Sequence, residues 1–218
     1  MSDFTLIIGN KNYSSWSLRP WLLFKQATIP FKENRLAIGS DDLSKYSPSG
    51  LVPALKHGPL TIWDSLAIAE HLAEQFPEKE LWPRDVEARA IARSVSAEMH
   101  SGFTNMRTHM NMNCRGHFPG KGMTPEVEKD IRRIQQIWQD CRTRFGKGGE
   151  FLFGKFSIAD AMYAPVTFRF VTYAVPLSPI AQAYVTTLQG LPAMQEWLAA
   201  AKAETEVKEQ YEQYRSQA

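Results

Sequence analysis

Two short polar stretches hold residue types able to bind and activate an anion. The first is Ser14-Ser15-Trp16-Ser17-Leu18-Arg19. Its leading serines stand directly ahead of an apolar helical pattern, so a hydroxyl donor meets a helix N-terminus. Unpaired N–H groups, the positive dipole end and a donated hydrogen bond all favour an anion such as a thiolate. A free thiol has a pKa of about 8.5, so little of it is thiolate at neutral pH. A serine hydroxyl is too weak an acid to serve as a base here, so its role is donor. The second stretch is Asp64-Ser65, which opens another helix. Ser65 and the N–H groups behind it suit a carboxylate, and Asp64 suits an amine. Both stretches also read as plain helix caps, each stabilising its helix by about 1 kcal/mol.

Other reactive residue types carry less. His100, His109, Cys114 and His117 lie near one another in sequence, but their spacing fits no common zinc pattern. Two cysteines, Cys114 and Cys141, make no disulfide framework, and Cys141 falls on the apolar face of its helix.

The elements that must position these groups follow from periodicity. Phe4–Ile8 is an apolar run ended by Gly9-Asn10, which suits a buried strand. A helix follows from about Ser17, since Pro20 is tolerated best in a first turn. Residues 31–36 alternate like a strand, and 46–50 form a turn cluster. Residues 52–56 and 60–63 are two strands about His57-Gly58-Pro59, a hairpin signal. A helix with Leu66, Ala69, Leu72, Ala73 and Phe76 on its face completes an α+β unit. Residues 77–84 read as linker and the rest as helices: one running from Asp85 past Met106, one from Thr124-Pro125, one opened by Ser157 with Asp160, and a last from Pro192.

Composition narrows the function classes. The formal charge is +2 over 218 residues and neither half is strongly basic, so no footprint for nucleic acid or an anionic membrane appears. No signal peptide is expected at the N-terminus, and no stretch approaches the ~20 apolar residues of a membrane span. A soluble protein of a reducing compartment, the cytoplasm, is the expectation.

Four local motifs resemble the soluble glutathione transferases. Ser14-Ser15-Trp16-Ser17-Leu18-Arg19 is similar to the Ser-Ser-Cys-Ser-Trp-Arg of zeta-class members, and the serine five residues before the arginine also matches the tau-class pattern. Residues 47–55, Ser-Pro-Ser-Gly-Leu-Val-Pro-Ala-Leu, are similar to the family's Asn-Pro-x-Gly-x-Val-Pro-x-Leu. Asp64-Ser65 stands at its Glu-Ser or Gln-Ser position, and residues 156–160 resemble the Ser-Ile-Ala-Asp start of a buried helix.

The resemblance implies a thioredoxin-like α+β domain over 1–80 that binds glutathione, and an all-α domain over 86–218 that lines the second-substrate pocket. It implies that Ser14, or Ser15, stabilises the glutathione thiolate. It implies a cis Val52–Pro53 bond holding glutathione through its backbone, with Asp64 and Ser65 on the γ-glutamyl end. Met106 and Arg107, on a methionine-rich helix, are expected at the electrophile, with core packing the alternative for this helix. Glutathione is the cosubstrate, no metal is required, and a cytoplasmic homodimer that detoxifies small electrophiles is implied. Trp16 replaces the zeta-class cysteine and no cysteine occurs before Cys114, which argues against cysteine-based chemistry. The alternatives are a zeta-like cis-trans isomerase of the maleylacetoacetate type and a noncatalytic ligand-binding member of the fold.

Overall fold

The computed structural model describes residues 3–215; the two residues before them and residues 216–218, the outer ends of the expected domains, lie outside that range. Among the described residues four strands form one sheet: β1 (Phe4–Ile8), β2 (Lys32–Arg35), β3 (Ala54–His57) and β4 (Leu60–Trp63), in the order β2-β1-β3-β4. β1 pairs parallel with β2, and the β1–β3 and β3–β4 pairs are antiparallel. The central strand is the apolar run read from sequence, and Leu6, Ile7 and Ile8 are fully buried.

Helix α1 (Ser15–Gln26) begins two residues earlier than expected and carries Pro20 inside it. Ser14 is its N-cap, and capping at this point sets the start ahead of the proline's preference. A short helix α2 (Leu43–Tyr46) precedes the turn cluster, and α3 (Ser65–Gln75) follows β4. The four-stranded sheet with α1 and α3 builds the expected thioredoxin-like unit.

The helical half contains α4 (Val86–Ser101), α5 (Thr104–His109), α6 (Pro125–Phe145), α7 (Ile158–Thr172), α8 (Pro179–Gly190) and α9 (Pro192–Ala203). The single helix expected past Met106 is broken in two. Phe103 has φ +57°, and a side chain at Gly102 would strike the Glu98 carbonyl at 2.7 Å. The break turns α5 independently of α4.

α7 is apolar on every side, as a helix enclosed by others must be, and every residue in it but Val171 is buried. It packs on α1, α4 and α8. Its start is tied by Asp160, whose fully buried carboxylate accepts hydrogen bonds from Leu152 N (3.0 Å), Ser157 N (2.8 Å), Ser157 Oγ (2.9 Å) and the Tyr184 hydroxyl (2.9 Å). Burial pushes the Asp160 carboxyl up to about 6 against the pull of those four donors.

Replacing Asp160 with Ala strands these donors, and we expect a loss of ~3 kcal/mol in urea unfolding at pH 7.5. The carboxyl is raised in the folded state, so its stabilising contribution is complete below the ordinary value of about 3.9 and fades as pH rises through about 6. The difference between wild type and Asp160→Ala should therefore be larger by about 1 kcal/mol at pH 5 than at pH 7.5. An equal or smaller difference at pH 5 would contradict it.

Candidate active site

Three separate segments converge on one cavity of about 670 Å³ between the sheet half and the helical half. Tyr13, Ser14, Ser15 and Trp16 come from the start of α1, Val52 and Pro53 from the turn before β3, and Asp64 and Ser65 from the start of α3. Arg107, Asn111 and Met112 close it from the α5 side, Arg169 from α7, and Tyr211 from the C-terminal segment. The volume lies within the usual range for small-molecule sites.

The start of α1 is knotted by hydroxyls. Ser14 Oγ accepts the N–H of Ser17 at 3.4 Å and donates to Ser17 Oγ at 2.7 Å. Ser17 Oγ accepts the N–H of Gly9 at 3.0 Å. Gly9 has no room for a side chain: a Cβ there would lie 2.8 Å from Ile38, 3.1 Å from Val52 and 3.3 Å from Ser14. That close approach brings the Ser14 loop against the Val52–Pro53 turn. The peptide bond of that turn is cis, as the resemblance implies.

Ser15 differs from Ser14 in its partner. Its Oγ accepts a hydrogen bond from Arg169 Nη2 at 3.2 Å. Tyr13 donates its hydroxyl to Glu212 Oε1 at 2.5 Å, and burial and that bond hold its pKa above the ordinary value. The phenol is thus committed away from the serines.

Asp64 is both a cap and a contact point. Its Oδ1 accepts the N–H groups of Leu66 (2.8 Å) and Ala67 (3.2 Å), and its Oδ2 lies 3.1 Å from His100 Nε2. Burial, aided by Arg19 and Arg107 and opposed by Asp64, lowers the His100 pKa, so a neutral imidazole donates here. Asp64 sits at φ +78°, ψ 133°, a region that costs a non-glycine residue on the order of 1–3 kcal/mol. Neighbouring Ser65 is 1% exposed and accepts from Arg19 Nη1 at 3.3 Å.

The cavity's electrostatics were not foreseen. Arg19 and Arg107 lie against the Trp16 ring, at 4.1 and 5.4 Å from its centre. Burial, with Arg107 and Arg169 nearby, lowers Arg19 to about 9, and burial lowers Arg169 to about 10; both stay protonated at neutral pH. Arg19 Nε and Arg169 Nη1 are buried without a hydrogen-bond acceptor. Buried guanidinium donors normally find a carboxylate, so these two suit an anion.

Among the expected pocket residues, Arg107 lines the cavity and Met106 does not. Met106 is fully buried in the core and its N–H donates to Asp130 at 2.9 Å. The break at Phe103 re-aims α5, and Met112 supplies the methionine instead. Cys114 and Cys141 are buried, and burial raises both thiols, Cys141 to about 12. His100 turns to Asp64 rather than to a cysteine, and among the described residues no group of three or more His, Cys, Asp or Glu side chains could hold a metal. No described helix is long and apolar enough to cross a membrane.

Residues 13–75 match the family described as glutathione S-transferase, N-terminal domain, and residues 124–200 match its C-terminal domain, together more than half of the chain. The chain belongs to the glutathione S-transferase family. Glutathione S-transferase 1 of Dianthus caryophyllus is 39% identical over 169 residues, 72% of this chain and 73% of that one. The maleylacetoacetate isomerase of Rattus norvegicus is 31% identical over 144 residues, 64% of this chain and 63% of its own. A glutathione transferase homologue from Burkholderia gl BGR1, solved with bound glutathione, superposes with a TM-score of 0.72 at 22% identity, covering 92% of this chain and 99% of that one. This glutathione S-transferase therefore has the family's fold in both halves, and the serines, the cis turn and Asp64-Ser65 all face one cavity.

Proposed function

We propose that the cavity binds glutathione along Val52–Pro53 and Asp64-Ser65 and that the Ser14 hydroxyl stabilises its thiolate for attack on an electrophile. The carrying observation is the convergence of those three segments on one cavity. Ser65, at the start of α3 with buried Arg19 behind it, suits the γ-glutamyl carboxylate. Asp64 Oδ2 suits the amine. The Val52 backbone suits the cysteinyl part. The Ser14–Ser17 bond can reverse, because hydroxyl hydrogens rotate. Ser17 then donates to Ser14 Oγ, and the Ser14 hydrogen turns to the sulfur. Ser15, polarised by Arg169, is placed beside it as a second donor. Catalysis is then proximity plus thiolate stabilisation, with no metal in the step.

A second reading is favoured by the arginines. Arg107 and Arg169 line the cavity, with buried Arg19 behind Ser65, and this positive charge suits an electrophile bearing a carboxylate, including an acidic alkene that glutathione adds to and leaves again, as in a cis-trans isomerase. Arg107 is half-buried and is the best placed of the three to exchange partners, since it donates only to the Met99 and His100 carbonyls, at 3.4 and 3.0 Å.

The two domains divide near 80–86, where the short turn Pro77–Lys79 leads toward α4. We assign a cytoplasmic homodimer acting in detoxification.

The thiol pKa of bound glutathione, read from the ultraviolet thiolate band, tests the main reading. We expect a value at least one unit below that of free glutathione, moving back toward it in Ser14→Ala. Saturable binding with an unshifted pKa would mean a carrier. For the second reading, phenyl vinyl ketone and its 4-carboxyphenyl analogue undergo the same addition. Relative to the uncatalysed rates, we expect kcat/KM to favour the acid about tenfold, and Arg107→Gln to reduce that preference. Equal selectivity would remove the anionic electrophile. Sedimentation should show a dimer; a wild-type monomer near 25 kDa would refute it.

A further inference from the structure

The loop between β1 and Ser14 is held from a distant part of the chain. Asn10, Lys11 and Asn12 are buried although polar, so their main-chain groups need partners. The Ser14 N–H donates to the Asn10 carbonyl at 2.8 Å, which closes the loop onto Ser14. The Asn10 side chain accepts the N–H of Ile38 at 2.9 Å, and the Lys11 carbonyl accepts from Trp197 Nε1 at 2.9 Å. The N–H groups of Lys11 and Asn12 meet a single carboxylate. Glu204, the residue after α9, accepts from Lys11 at Oε1 (2.7 Å) and from Asn12 at Oε2 (3.0 Å). Its side chain is 8% exposed, and Oε1 also takes Arg35 Nε at 2.8 Å. Hydrogen bonds to an ionised acceptor are about twice as strong as neutral ones.

We propose that Glu204 is a positioning residue for thiol activation: its carboxylate fixes the loop that sets where the Ser14 hydroxyl stands. This rests on reading Ser14 as the donor to the glutathione sulfur. Glu204 is not among the residues that line the cavity, so it acts through the main chain of Lys11 and Asn12. The loop is pinned at Gly9 by Ser17, which in turn takes the Ser14 hydroxyl, and in its middle by Glu204. A hydrogen bond weakens steeply as its donor is misplaced or misaligned, so slack in this loop costs the sulfur its donor. The sign of the effect separates two roles. Glu204 is an anion, and by charge alone its removal favours a nearby thiolate and lowers the thiol pKa. Misplacement of the Ser14 donor raises it.

The test reads the thiol pKa of bound glutathione from its ultraviolet thiolate band in wild type, Glu204→Gln and Arg35→Gln. The glutamine keeps one accepting oxygen but turns an NH2 group on the second N–H. Glu204→Gln should raise the bound thiol pKa by about half a unit or more, and the pH profile of kcat/KM with phenyl vinyl ketone should move with it. Glutathione affinity by calorimetry at pH 5.5, where the thiol is protonated, should stay within about twofold, because the other binding groups stand on other segments. Arg35→Gln leaves both main-chain bonds in place, so its thiol pKa should stay within about 0.2 of wild type. An unchanged or lowered thiol pKa in Glu204→Gln overturns the proposal. So does an equal rise in Arg35→Gln, which would mean a general loosening of the segment. Should Glu204→Gln not fold, Glu204→Asp, one methylene shorter, carries the same expected rise and the same refutation. If wild type binds no glutathione, or binds it with an unshifted pKa, the site reading fails and the role of Glu204 with it. If the wild-type pKa is lowered and stays so in the variant, only the role of Glu204 fails.

Discussion

The site depends on the double burial of α1. One side of this helix covers the sheet and the other packs on α7, so nine of its twelve residues are buried. A helix held on two sides has a fixed N-terminus, and that N-terminus is where the cavity lies. The Arg169–Ser15 hydrogen bond at 3.2 Å joins the two helices at the cavity itself. α7 is in turn fixed by the Asp160 carboxylate and its four donors. A capping residue with no contact to the cavity therefore governs where Ser15 stands.

That arrangement carries an electrostatic cost. Arg19 and Arg169 are buried near each other and near Arg107, and a desolvated charge beside like charges opposes folding. Trp16 offsets part of it, since a guanidinium against an indole ring gains a cation–π attraction of about 1–2 kcal/mol when desolvated. The remaining cost shows at Arg19 Nε and at Arg169 Nη1, which are buried without an acceptor, the latter on a residue that lines the cavity. Trp16 at the zeta-class cysteine position thus exchanges a reactive thiol for a platform that tolerates positive charge.

Much of this was legible in the sequence because it is local. Caps at Asp64, Asp85, Thr124 and Ser157, the β-hairpin at Gly58-Pro59 and the apolar faces of α3 and α6 follow from residues a few positions apart. The serines, the Val52–Pro53 turn and Asp64-Ser65 stood out because their short motifs resemble the family's. What could not be read is long-range. Arg169 sits in a helix buried on all sides, where periodicity gives no direction. The end of α4 at Gly102 depends on a carbonyl contact, and it moved Met106 from the cavity to the core. Glu204 meets Lys11 across 193 positions of sequence. An arginine inside an otherwise apolar helix was the one available signal for Arg169, since a buried charge needs a partner.

The division of labour in the cavity follows from which elements are rigid. Groups suited to a peptide backbone and to the γ-glutamyl end stand on the turn before β3 and the first residues of α3, both anchored in the sheet half. Groups facing the other side stand on α5, the 109–115 connection and the segment after α9. Those pieces pack against one another through hydrogen bonds rather than through a sheet ladder, so their side chains can change without disturbing the Ser14–Ser17–Gly9 knot. Glu204, whose carboxylate holds the main chain of Lys11 and Asn12, and Arg115, which donates to the Tyr13 hydroxyl, are exceptions that reach the knot from outside. The sheet half thus carries the Ser14 loop, the Val52–Pro53 turn and Asp64-Ser65, while much of the opposite wall stands on connecting segments, where substitutions are best tolerated.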